Sequence, residues 1–149
     1  MRVFAIIAAA MLAVAPAPQA FAANVSKSQI SSILTDQGYN VQDVDRTKIM
    51  VTVDRYSIIV AVDGADGDIS FITWIPGLSS SDVGYQFLNQ FNNEVKFGRA
   101  YIDRDGDIAI QMDRNAAGGV SSENIESEFD VFLLLISKFL SDLESQAVA

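Results

Sequence analysis

The chain has 149 residues, of which 50% are hydrophobic and 19% charged, and a formal net charge of −9. That length suits one domain, and the composition is that of a globular protein rather than a disordered one. With no Cys and no His, disulfide stapling, Cys/His zinc sites, Ser-His-Asp or Cys-His nucleophiles and a lipid-bearing N-terminal Cys are all excluded.

Arg2 precedes an unbroken apolar run from Phe4 to Ala15. Such a run matches the core of a secretory signal and is too short to span a bilayer. Pro16 and Pro18 end any helix, and Ala20-Phe21-Ala22 has the small-x-small pattern of a cleavage site. Residues 1–22 are therefore expected to be a signal peptide cut between Ala22 and Ala23. Residues 23–149 are then one domain, periplasmic or secreted, without a stable membrane anchor. Cleavage removes Arg2 and no acid, which takes the net charge to −10. A domain so acidic is repelled by phosphate backbones, so no nucleic-acid partner is expected.

Ser26 with Gln29 forms a capping-box pattern, and Ile30, Ile33 and Leu34 make a narrow apolar stripe that Gly38 can terminate. Residues 41–75 read as three strands. Ile49, Val51 and Val53 alternate with Met50, Thr52 and Asp54. Tyr56 to Val62 is nearly all apolar, and Ile69 to Ile75 ends at Pro76-Gly77. A second helix carries Val83, Phe87, Leu88, Phe91 and Val95 on one face. Gly98–Asp103 and Asp107–Met112 form a hairpin across Asp105-Gly106. A long helix follows Gly118-Gly119, capped by Ser121 or Ser122, with a stripe that includes Ile125, Phe129, Phe132, Ile136 and Phe139. The order α-β-β-β-α-β-β-α predicts an α+β fold, a five-stranded antiparallel sheet with its three helices on one side.

Few residues suggest chemistry. Asp63, Asp66 and Asp68 share one turn, and Asp103, Asp105 and Asp107 another. A calcium loop starting at Asp103 needs Gly at position 108 and Glu at 114, where Ile108 and Arg114 stand. These turns therefore read as hairpin tips, with no metal expected. Arg99 and Tyr101 fall on one strand face and could contact a planar or acidic ligand, although a surface ion pair is the plainer reading. Trp74 is the only tryptophan and reads as core packing at a strand end. Phosphate loops, dinucleotide fingerprints and nucleophile elbows are missing, and no carboxylate spacing marks a glycosidase, so an enzyme is not expected and no cofactor is called for. On the last helix Val131, Leu134 and Leu135 lie outside the main stripe at the ~100° step per residue. They are the candidate partner-binding residues.

Phe87-Leu88-Asn89-Gln90-Phe91-Asn92, Lys96-Phe97-Gly98-Arg99-Ala100-Tyr101-Ile102-Asp103, Asp105-Gly106-Asp107, Met112-Asp113 and Gly118-Gly119-Val120 together resemble the YbjN-domain family. Phe91 stands where that family more often has Trp. From Ser26 to Trp74 the likeness rests on element order. The resemblance implies an α+β domain similar to class I type III secretion chaperones, a family label of bacterial sensory transduction regulator, and no catalytic residues. The expected function is thus an exported, non-enzymatic protein-binding or chaperone-like module, acting on a protein partner or as a homodimer. The alternative is a small-ligand or ion-binding sensor accessory of the bacterial envelope.

Overall fold

Ser26 starts the first element as the cap pattern requires: its Oγ accepts the Gln29 N–H at 3.2 Å. The computed structural model describes Asn24 to Ala147, so the expected signal peptide and its Ala22–Ala23 cleavage site lie outside the described residues. Helix α1 (Lys27–Asp36) buries Ile30, Ile33 and Leu34, and Gly38 turns the chain out of it at φ +89°. Then come β1 (Asn40–Asp43), β2 (Lys48–Val53), β3 (Tyr56–Asp63), β4 (Asp68–Ser79), α2 (Tyr85–Glu94), β5 (Gly98–Ile102), β6 (Asp107–Arg114) and α3 (Ser122–Ala147). Ser121 caps α3, accepting the Asn124 N–H.

The sheet has six strands in the order β1-β2-β3-β4-β6-β5, and every pairing is antiparallel. The expected five-stranded sheet is corrected by β1. That strand has the sequence Asn-Val-Gln-Asp and shows one apolar residue, so no alternation marks it. Pairing with β2 at the sheet edge supplies the hydrogen bonds that its side chains do not predict. Strand β4 also runs on through Pro76-Gly77 to Ser79. The register with β6 shifts between Trp74 and Ser79, and such an irregularity tolerates a proline. Helix α2 starts at Tyr85, so Val83 is buried in the preceding turn and Val95 caps the other end.

Cross-strand register sets the two faces of the sheet. Ile49, Val60, Phe71, Met112 and Gly98 form one row from β2 to β5, and Val51, Ile58, Thr73, Ile110 and Ala100 the next. The helices cover this face. Phe71 packs on Phe129 and Phe132 with centroids 5.9 and 5.8 Å away, and Phe139 meets Phe87 and Phe91 at 5.3 and 5.2 Å. Truncating such a fully buried ring costs about 3–5 kcal/mol. The opposite face carries Met50, Ile59, Ile72, Gln111 and Arg99 in one row, partly or fully open to solvent.

Gly98 fixes how α3 lies across β5. A Cβ there would stand 2.5 Å from Leu135 Cδ1 and 2.9 Å from the Gln111 carbonyl oxygen. The leucine tip can turn aside, whereas the carbonyl belongs to the neighbouring strand and cannot. We expect Gly98→Ala to destabilise the fold by about 1–3 kcal/mol. A urea unfolding midpoint equal to that of the wild type would contradict this packing.

Candidate functional site

The long helix leaves one side bare. Leu134 is 67% exposed and Val131 half-buried, as their places off the main stripe predict, but Leu135 is only 6% exposed. Leu135 is therefore corrected from the outer face to the core: it lies over Gly98, where the missing side chain lets the helix come down on the edge strand.

Beside Leu135, at the entry to β5, stands Phe97. Its ring is 76% exposed and its backbone has φ +69°. Neither state is favourable, because a bulky residue is an outlier in the left-handed region and an exposed ring forgoes burial. Sequence reading did not single it out except as part of a motif. Its conformational signal exists only in the backbone.

Phe97 and Val131 are common walls of two hollows. One, of about 290 Å³, also involves Met112, Arg114, Ser127 and Glu128. The other, of about 270 Å³, is bounded by Val95, Leu134 and Leu135, with Lys96 and Lys138 at its margin. Phe97, Val131 and Leu134 thus form one apolar surface between the end of α2, the entry to β5 and the middle of α3. In the first hollow Arg114 Nη1 pairs with Glu128 Oε1, while Glu128 Oε2 is buried without a hydrogen-bond partner. Burial pushes the Glu128 carboxyl above the ordinary glutamate value, and the attraction of Arg114 only partly opposes it.

The motif residues of α2 and β5 do structural work. Asn92 donates from Nδ2 to the Ala100 carbonyl at 2.9 Å and accepts the Ala100 N–H on Oδ1 at 2.8 Å. Its carboxamide thus occupies both backbone groups of Ala100 on the outer edge of β5, as a neighbouring strand would. An edge so occupied resists pairing with another chain.

The other predicted contacts are satisfied internally. Arg99 pairs with Asp113 at 3.0 Å and lies 5.8 Å from the Tyr101 ring centroid, and Tyr101 Oη donates to Gln111 at 3.1 Å. Burial raises the Asp113 carboxyl, but donors on Ser70 and Gln111 together with the Arg99 charge hold it below the ordinary aspartate value. Asp68 accepts the Ala116 N–H at 2.8 Å, and Asp103 Oδ1 accepts those of Asp105 and Asp107 at 3.0 and 2.9 Å. Among the described residues no group of three or more Asp or Glu side chains is placed to share a metal ion.

Trp74 is corrected too. It is 41% exposed on the open sheet face, not core, and its Nε1 donates to Asp103 Oδ2 at 2.8 Å. That bond, with the backbone donor of Asp107, holds the Asp103 carboxyl below its ordinary value. The resulting stability is present above the unfolded pKa of about 3.9 and is lost as pH falls through the lower folded value. The single tryptophan makes this visible. Its emission is expected to shift at a pH below about 3.9, and Asp103→Asn should abolish the step. A step at or above the ordinary value, or one that survives Asp103→Asn, would contradict the assignment.

Comparison with known proteins bears on the whole domain. The model of the YbjN family, described as "Putative bacterial sensory transduction regulator", matches residues 26–145. Among solved structures, the crystal structure of YbjN from E. coli, described as "a putative transcription regulator", is similar at a TM-score of 0.60 and 16% identity. The match covers 80% of this chain and 90% of that one. That likeness shows a shared fold. No curated protein matches the chain. With the family model spanning α1 to the last turns of α3, this chain belongs to the YbjN family.

Proposed function

We propose that this chain is a non-enzymatic protein-binding module, chaperone-like in that it holds apolar segments of other polypeptides, and that the signal-like N-terminus delivers it to the periplasm or the medium. One observation carries the reading: Phe97, 76% exposed and held at φ +69°, stands between two hollows on an apolar surface shared with Val131 and Leu134. Left-handed backbone at a bulky residue costs about 1–3 kcal/mol. A fold that keeps the ring outward at that cost presents it to something. Exposed aromatic anchors beside clefts are a common centre of protein interfaces.

The regulator descriptions attached to the family and to the E. coli protein leave the molecular role open. A formal charge of −9 favours a protein partner over nucleic acid. The ligand-binding alternative has less support, because the polar ends of Arg99, Tyr101 and Trp74 are occupied by Asp113, Gln111 and Asp103.

The test is suppression of client aggregation. The wild type should lower the turbidity of a chemically unfolded client protein. Phe97→Ser combined with Leu134→Glu should lose most of that effect while melting within a few degrees of the wild type, since both side chains are largely exposed. Equal protection by the two proteins would refute the surface. Export is checked separately: envelope or medium fractions should contain a product that begins at or near Ala23, and a cytoplasmic product that still begins at Met1 would refute it.

A further inference from the structure

The sheet face away from the helices has no cover among the described residues. Its middle row runs Met50, Ile59, Ile72, Gln111 and Arg99 from β2 to β5. On one side of this row stand Lys48, Ala61, Ser70 and Asp113, and on the other Thr52, Ser57, Trp74, Ala109 and Tyr101. Met50, Ile59 and Ile72 are partly exposed and Trp74 is 41% exposed, so the middle of the face is apolar. Three side chains in these rows carry charge, and each is held: Lys48 by Asp45 at 3.3 Å, and Arg99 by Asp113 at 3.0 Å. One row further out, Asp63 and Asp68 close β3 and β4 as a charged rim. An apolar middle without unpaired charge, inside a polar rim, is the make-up of a protein interface.

Size and charge select the occupant. The sheet has six strands, and at a spacing of about 4.8 Å, with three rows about 6.7 Å apart, the face is roughly 500 Å² in projection. Side-chain relief raises this toward the ~800 Å² per partner of a stable interface, which a globular body covers and a single helix or strand does not. The two cations and one acid of the three rows sum to +1, so the net −9 of the chain arises wholly outside them. A basic partner is drawn to those acidic surfaces, and two copies of the chain repel each other through them. On the open face two such acidic bodies meet without opposing unpaired carboxylates. The face also complements itself. A twofold axis along the middle row brings Ile59 and Ile72 onto their own copies and lays Trp74 over Ser70, a tall side chain on a short one. Arg99, at the β5 edge, keeps Asp113 beside it. Joining sheets edge to edge is the other route, and Asn92 closes it at β5 while β1 offers only four residues.

We propose that two copies of the chain pack face to face through the open side of the sheet, with Met50, Ile59, Ile72 and Trp74 at the centre of the contact. The Phe97 surface, beside α3, stays free on each copy, and neither reading depends on the other.

The chain carries its own reporter, since Trp74 is the only tryptophan. Sedimentation velocity and tryptophan emission are to be followed on the same samples over a concentration series at neutral pH. A dimer is expected, and the emission should move to shorter wavelength as it forms. Ile72→Lys puts an unpaired charge at the centre and should raise the dimer dissociation constant at least about thirtyfold, with a cooperative melt retained. If Ile72→Lys does not fold, Ser57→Lys places the charge at an exposed position of the same face and should weaken the dimer at least about tenfold. Phe97→Ser combined with Leu134→Glu should leave the dimer intact. A monomer at every concentration overturns the proposal, including one whose Trp74 emission moves only when a different protein is added. A dimer that forms without a change in emission, or that survives the charge on the sheet face, overturns it as well. So does a dimer undone by Phe97→Ser with Leu134→Glu, since the second copy then sits on the other surface. None of these outcomes bears on client protection by Phe97, which is measured separately.

Discussion

The close approach of Leu135 to Gly98 sets the geometry on which the rest depends. A sheet face can be covered once, and where the covering helix comes to rest decides which of its residues remain outside. Without a Cβ at Gly98, α3 settles directly on the edge strand, and its buried side turns to take in Leu135 as well as Phe129, Phe132, Ile136 and Phe139. The same placement brings Val131 and Leu134 alongside Phe97, which immediately precedes the glycine. Packing and candidate site are thus two results of one contact.

The family motif can be read in these terms. Phe87, Leu88 and Phe91 bury α2 against the core, and Phe139 meets Phe87 and Phe91 edge to face. Asn92 occupies the exposed edge of β5 through both backbone groups of Ala100. Asp103 shapes the turn to β6 and receives Trp74. Each residue has a structural task that needs its particular chemistry: an amide that both donates and accepts, a carboxylate that accepts several N–H groups, a glycine under a helix. Phe97 alone among them is exposed, apolar and conformationally costly. It is the motif position that stability does not explain.

Much of the fold was legible because its signals are local. Ser26 and Gln29 mark a cap, Asp105-Gly106 marks a hairpin, and the ~100° step of α3 separates its aromatic side from Leu134. What escaped is decided by neighbours. Strand β1 has one apolar residue and exists through its pairing with β2. Average burial puts Trp74 in the core, but its register beside Ala109 places it on the uncovered face. A helical wheel turns Leu135 outward because it treats the surface beneath as uniform, whereas Gly98 leaves room under that one position. For the site, Val131 and Leu134 could be read from the wheel. Phe97 and Glu128 could not, since one depends on a backbone angle and the other on a missing donor.

In the proposed function the Phe97 ring serves a partner and not the fold. Equilibrium unfolding of Phe97→Gly separates these two roles. Glycine enters the left-handed region without strain, and an exposed ring contributes little burial, so relief of about 1–2 kcal/mol offsets the 0.5–1 kcal/mol entropic cost of a glycine. A ring kept for a partner predicts a variant at least as stable as the wild type. A loss of about 3–5 kcal/mol, the cost of removing a buried aromatic ring, would contradict it.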